Sequence, residues 1–226
     1  VNAAYSGSFV FDNLGTYNRN ATGTTYFDVP FNNTGVINLA GGDMQFRGGG
    51  TLGSSGTINA ATGTHVYFTN NYSIANAASL LGDGTYWLTG GTLIATGTLT
   101  VSTFNQTGGT LTANGILNGI LNWSGGNWND TAAGFTTTIA PTAVLNLTDA
   151  HNNIRDFNFR AIVNQGTVNW QSGYLRSGQG GSFTNAVGAT FNDTIAGNTY
   201  TVNAAYSGSF VFDNLGTYNR NATGTT

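Results

Sequence analysis

Two carboxylates, an imidazole and a guanidinium crowd together at Asp149, His151, Arg155 and Asp156, the densest ionisable cluster in the sequence. Paired carboxylates are what a glycosidic bond needs for acid–base cleavage, and they are equally the ligands of a calcium ion. The other acids of the first 201 residues are Asp12, Asp28, Asp43, Asp83, Asp130 and Asp193. They form no Asp-x-Asp or Asp-Asp pair, and most sit beside a turn residue, which accounts for them without catalysis. A solvated loop with local ion pairs of little energetic value is the simpler expectation for 149–156. His65 lies in an alternating run, THVYF, where a histidine on the wall of a sheet is expected rather than a ligand. With two histidines and no cysteine, a zinc site is not expected, and no cofactor is. GGDMQF at Gly41 echoes half of a calcium-binding nonapeptide but does not iterate, so an ordinary corner is expected. Asn-x-Ser/Thr triplets at Asn20, Asn71, Asn122 and Asn146 follow from composition alone. No catalytic residue is assigned, and an enzyme is not expected.

Two further residue sets have a chemistry. Trp87, Trp123, Trp128 and Trp170 could stack on sugar faces, although filling a core or bracing an outer wall is the first expectation for them. The Thr-x-Thr pieces at 98–100, 110–112 and 199–201 raise ice binding. Their spacing is irregular, and β-propensity explains the threonines.

What must position these groups is read from composition. The chain has no Lys, Glu or Cys, nine Asp and six Arg, and a net charge of −3. A nucleic-acid partner needs a clustered basic surface, which is absent. No apolar run is long enough to span a bilayer as a helix. Disorder is disfavoured by 12% aromatics and only two prolines. Thr, Val, Tyr, Phe and Ile favour strands, 34 glycines together with Asn and Asp supply turns, and an ordered all-β chain is expected.

The segment VNAAYSGSFVFDNLGTYNRNATGTT occurs twice without a mismatch, at 1–25 and 202–226. A cloning duplication or a circular permutation would produce this. A tandem array with a period of 201 residues explains it better, because long-period self-similarity marks repeat architectures. Residues 1–201 then form one complete unit and 202–226 begin the next. Inside the unit a phrase close to Gly-Thr-apolar-Asn recurs at Gly15, Gly35, Gly56, Gly84, Gly115 and Gly166. Short alternating runs at 64–68, 92–101, 143–147 and 189–193 lie between glycine- and asparagine-rich corners. A coil of roughly 20 residues predicts a β-solenoid of about ten coils, roughly 50 Å, per unit. A repeated β-sandwich is the alternative. Asparagines at matching corners are expected to bond into amide ladders.

Three segments, FNNTGVINLAGGDMQFRGGGTL (31–52), FNQTGGTLTANGILNGILNWSGGNWND (104–130) and IVNQGTVNWQSGYLRSGQGGSFTNAVGATFND (162–193), carry a further likeness. They resemble the β-strand repeats of giant bacterial surface proteins and adhesin passengers. The resemblance implies a right-handed parallel β-helix, secretion and a place outside the cell, and it supplies no catalytic residue. HNNIRDFNFRA (151–161) departs from the pattern and is expected to be a loop or irregular coil. The expected partners are identical units stacked head to tail, without a cap at either end, and glycans in an adhesin reading. A polysaccharide lyase or hydrolase is the remoter alternative.

Overall fold

Alternation of apolar and polar residues over four positions buries one face of each short strand. Val36–Leu39, Asp43–Phe46 and Thr85–Leu88 all alternate between partly exposed and buried. The glycine- and asparagine-rich corners between them turn the chain by less than the full reversal that hairpin pairing needs. In the computed structural model, which describes residues 7–148, 154–196 and 200–223, all 24 strands accordingly pair with segments about a coil away in the chain. Every ladder is parallel, and no helix occurs among the described residues. The result is a parallel β-solenoid, and the sandwich alternative falls.

Each early coil gives one strand to each of three stacks. The first stack runs through Phe11–Asn13, Phe31–Asn33, Gly50–Leu52 and Tyr72–Ile74. The second holds Thr16–Arg19, Val36–Leu39, Thr57–Ala60 and Ser79–Leu81. The third holds Thr24–Phe27, Asp43–Phe46, His65–Phe68 and Thr85–Leu88, then 103–106 of the long strand Thr92–Asn127. Inward side chains pile up along the axis. Phe46 lies 5.8 Å from Phe68 and 4.9 Å from Tyr72, ring over ring, within a buried core that runs the length of the stack. Each fully buried aromatic or aliphatic side chain contributes about 1.5–3 kcal/mol.

Corner chemistry explains the recurring phrase. In the form Asn-x-Gly-Thr-apolar-Asn, the first asparagine points inward and the last points outward. Asn13 donates to Asn33 Oδ1 (2.7 Å), and Asn164 donates to Asn185 Oδ1 (2.8 Å). The same amides also donate to the main chain of the next coil, Asn13 to Val36 O and Asn164 to Thr190 O. The glycine is required by close approach: a Cβ on Gly35 would run into the main chain of Gly15 one coil away. The expected amide ladders are therefore present.

Three expectations need correction. The phrases at Gly84 and Gly115 do not share this corner. Gly84 leads into Thr85–Leu88 of the third stack, and Gly115 lies inside Thr92–Asn127, paired with Thr137. Coil length is not constant: laddered asparagines are 17 residues apart at Asn105–Asn122 and 29 apart at Asn185–Asn214, so an even coil of roughly 20 residues does not hold. The stretch 151–161 is not simply a loop. In its described part, Ile154–Asp156 and Arg160–Asn164 are strands, paired with Tyr174–Ser177 and Gly181–Asn185, and the bend between them holds Phe159 at φ 61°.

Candidate functional site

Asp149 and His151 lie outside the described residues. Their neighbours Arg155 and Asp156 point to opposite sides of one strand and do not form a common site. Arg155 is an internal strut, 1% exposed: Nε donates to Trp123 O (2.9 Å), Nη1 to Ser172 O (2.6 Å) and Nη2 to Thr148 O. Arg160, also buried, donates to Trp128 O and Ala113 O and pairs with Asp130 at 2.6 Å. Burial holds its pKa below the ordinary arginine value, against the opposing pull of Asp130. The two guanidiniums satisfy main-chain oxygens where the coils widen. Asp156 faces outward and grips Arg176 with both oxygens, at 2.8 and 2.9 Å, while Tyr206 donates to it at 2.7 Å. That hydrogen bond to the carboxylate is the main cause of the raised Tyr206 pKa.

The tryptophans divide. Trp123 and Trp128 lie flat on each other in the core, with centroids 4.4 Å apart and planes 3° from parallel, and Trp170 is buried as well. Trp87 points outward from the third stack, in register with Tyr67. Its ring stacks on Tyr67 at 5.9 Å, so along the axis these two rings already cover each other's inner faces. His65 stands in the adjacent outer column, hydrogen-bonded to Asp43 at 2.8 Å. Asp28 pairs with Arg47 at 3.0 Å, and Asp12 accepts from Asn32. An open hollow of about 250 Å³ lies between Ala77–Leu81 and the hydroxyls of Thr98 and Thr100. Among the described residues no three His, Cys, Asp or Glu side chains converge on a metal position, and no helix is long and apolar enough to cross a membrane.

The side chains that do converge lie where the repeated segment begins again. Residues 202–223 lay one further coil on the one before. Val202–Ala204 pairs with Leu175–Ser177, Phe210–Asn214 with Gly181–Asn185, and Thr217–Arg220 with Thr190–Asp193. Phe212 stacks on Phe183 at 5.2 Å, and Tyr218 on Phe191 at 5.3 Å. Asn185 donates to Asn214 on the inside, and Asn219 donates to Asn192 on the outside. Asp193, 0% exposed, accepts from the Tyr218 hydroxyl at 2.9 Å and pairs with Arg220 at 3.3 Å. Burial, and then Asp193, raise the Tyr218 pKa.

The earlier copy of this segment shows the opposite surface. Phe11–Asn13 and Thr16–Arg19 carry the next coil, Phe31–Asn33 and Val36–Leu39. The polarity agrees on both sides. Inner amides donate toward the C-terminal coil at Asn13–Asn33 and at Asn185–Asn214. Outer amides donate toward the N-terminal coil at Asn38–Asn18, as they do in an unbroken series Asn219, Asn192, Asn169, Asn146, Asn122 and Asn105.

That series also fixes a rotation. Asn105 belongs to the third stack, in register with Trp87, and the chain of amides carries this stack to Asn219. Asn219 is the counterpart of Asn18, which stands in the second stack. From one copy of the segment to the other, 201 residues on, the chain therefore advances by whole turns and about a third of a turn more.

Sequence reasoning passed over Asp193, Tyr218 and Arg220. A signal was available: in ATFND and TYNR the alternation places both charges on the inward side. No family model, no curated protein and no solved structure matches the chain.

Proposed function

We propose that the protein is the structural shaft of an extracellular filament, sheath or adhesin stalk, lengthened by stacking identical 201-residue units head to tail. The observation that carries this reading is the repeated segment itself. In one place it is laid in register upon the last coil of the unit, and in the other it bears the second coil. Joined through that segment, the ladders of main chain and asparagine continue from unit to unit without a break in polarity. Stability then comes from nearest-neighbour stacking, and length scales with unit number. The buried placement of Trp123, Trp128 and Trp170 supports a mechanical rather than a sugar-binding part for them. The likeness to bacterial surface β-strand repeats supports the extracellular setting.

A protein of two or more units tests the reading. It is expected to image as an unbranched rod that gains about 45 Å per unit, from coils about 4.8 Å apart. Successive units are expected to be turned by about a third of a turn about the axis. Separate globules joined like beads would overturn it.

A further inference from the structure

The inward column of the third stack contains no charge over most of its length. Phe27, Phe46, Phe68 and Leu88 are followed by Gln106, and later by Leu147 and Trp170. The first charge in register is Asp193, and the next position is Arg220. An opposite pair has been placed at the one step where the repeated segment begins.

The earlier copy shows the same arginine without that step beneath it. Arg19 is 7% exposed, and its guanidinium donates to the main-chain oxygens of Asp43, Ala21 and Gly23. Among the described residues it forms no ion pair. A buried cation held by carbonyls alone lacks the counter-charge that its counterpart Arg220 finds in Asp193.

Resting on the shaft reading, we propose that the last coil of a unit is a self-recognition surface whose partner is the first coil of an identical unit. Asp193 is its specificity-determining residue, selecting the arginine at 19 or 220, and the hydroxyl of Tyr17 or Tyr218 completes the acceptor's shell. The selection works by penalty. In register, the position of Arg19 is taken by Leu39 in the second coil and by Ala60 in the third. Seating either coil on Asp193 would bury a carboxylate against carbon, so a slip of one coil is disfavoured far more than an apolar column would disfavour it. Buried ion pairs serve best in this way, fixing register rather than adding stability.

Hydrogen exchange on the whole 226-residue chain, read segment by segment, tests the proposal. Asp193→Leu and Arg220→Leu, each removing one member of the ion pair, are expected to speed exchange at 210–220 by about a hundredfold. Exchange across 31–88 should stay unchanged, which separates unseating from general unfolding. The reversal Asp193→Arg with Arg220→Asp should return most of the protection. Unchanged exchange at 210–220 in both single variants, or a reversal no better than either single, would overturn the assignment. The two readings fail separately: a two-unit rod indifferent to both leucine variants removes the lock and leaves the shaft, whereas a wild-type two-unit protein that is not a rod removes the shaft.

Discussion

Thr16–Arg19 and Thr217–Arg220 have one sequence and two surroundings. The first is bonded on its C-terminal side to Val36–Leu39, the second on its N-terminal side to Thr190–Asp193. Gly15 has open space where a Cβ would be, while a Cβ on its counterpart Gly216 would collide with the main chain of Ala186 and Ala189. Tyr17 packs edge-on against Phe11 and Phe27, whereas Tyr218 lies flat on Phe191 and bonds Asp193. What a residue does in a solenoid is therefore half determined by the coil beneath it and half by the coil above. Two incomplete copies display the two halves separately. The comparison also shows that neither copy by itself accounts for its composition: Gly15 looks dispensable in one seat and obligatory in the other.

The harshest way to break this comparison is to remove the floor of one seat. Phe183→Ala takes away a buried ring that supports Phe212, and it is expected to cost about 3–5 kcal/mol, as large-to-small changes of buried aromatics do. In denaturant unfolding the loss should appear first in the coils from Gly181 onward. Phe31→Ala should cost a similar amount but loosen the opposite end, because its ring stacks on Phe11 at 4.7 Å. Equal loosening at both ends from either change would mean that stacking is not local.

A gentler substitution sharpens the contrast, since it changes the same residue in both copies. Gly216→Ala is expected to cost about 1–3 kcal/mol through overpacking, read as faster hydrogen exchange at Thr217–Arg220. Gly15→Ala should be nearly silent in the same measurement at Thr16–Arg19. Were both silent, the seat formed by Ala186 and Ala189 would not be as close as the geometry requires.

Much of this architecture is legible in the letters, for definite reasons. Period-two alternation marks Asp43–Phe46 and Thr190–Asp193 as strands, and the Asn-x-Gly corner marks where they turn. Coil length is less legible, because an extra loop can be inserted at a corner without disturbing the stack. The step from Phe183 to Phe212 differs from its neighbours for this reason. The solvated loop expected around Arg155 is not what the chain forms: Arg155 and Arg160 are buried. Arg155 and Arg160 sit inward because widened coils leave carbonyls that need donors, and that need arises from tertiary packing. The third-of-a-turn offset between the two copies could not be read at all, since it depends on the summed lengths of all the coils rather than on any residue.

The smallest expected effect concerns the phenol that differs between the copies. Tyr218→Phe removes the hydroxyl donated to Asp193 and should cost about 1 kcal/mol, modest for a hydrogen bond to a charged group because the ring is partly exposed. Tyr17→Phe should cost close to nothing. Alkali supplies an independent reading. Burial and then Asp193 raise the Tyr218 pKa above the ordinary tyrosine value of about 10, so the folded state favours the protonated phenol. Its contribution is therefore complete below about pH 10 and is lost as pH rises from there through the raised value. Exchange at 217–220 is expected to accelerate above about pH 10, beyond the intrinsic base catalysis measured at solvent-exposed corners. In Tyr218→Phe that additional acceleration should shrink, because one group that must ionise is gone. If the alkaline loss at 217–220 is the same with and without the Tyr218 hydroxyl, that hydroxyl is not its source. Burial also raises the pKa values of Tyr72 and Tyr86. Those residues lie within the first half of the unit, so their loss would loosen coils far from the second copy and leave its seat on Asp193 until last.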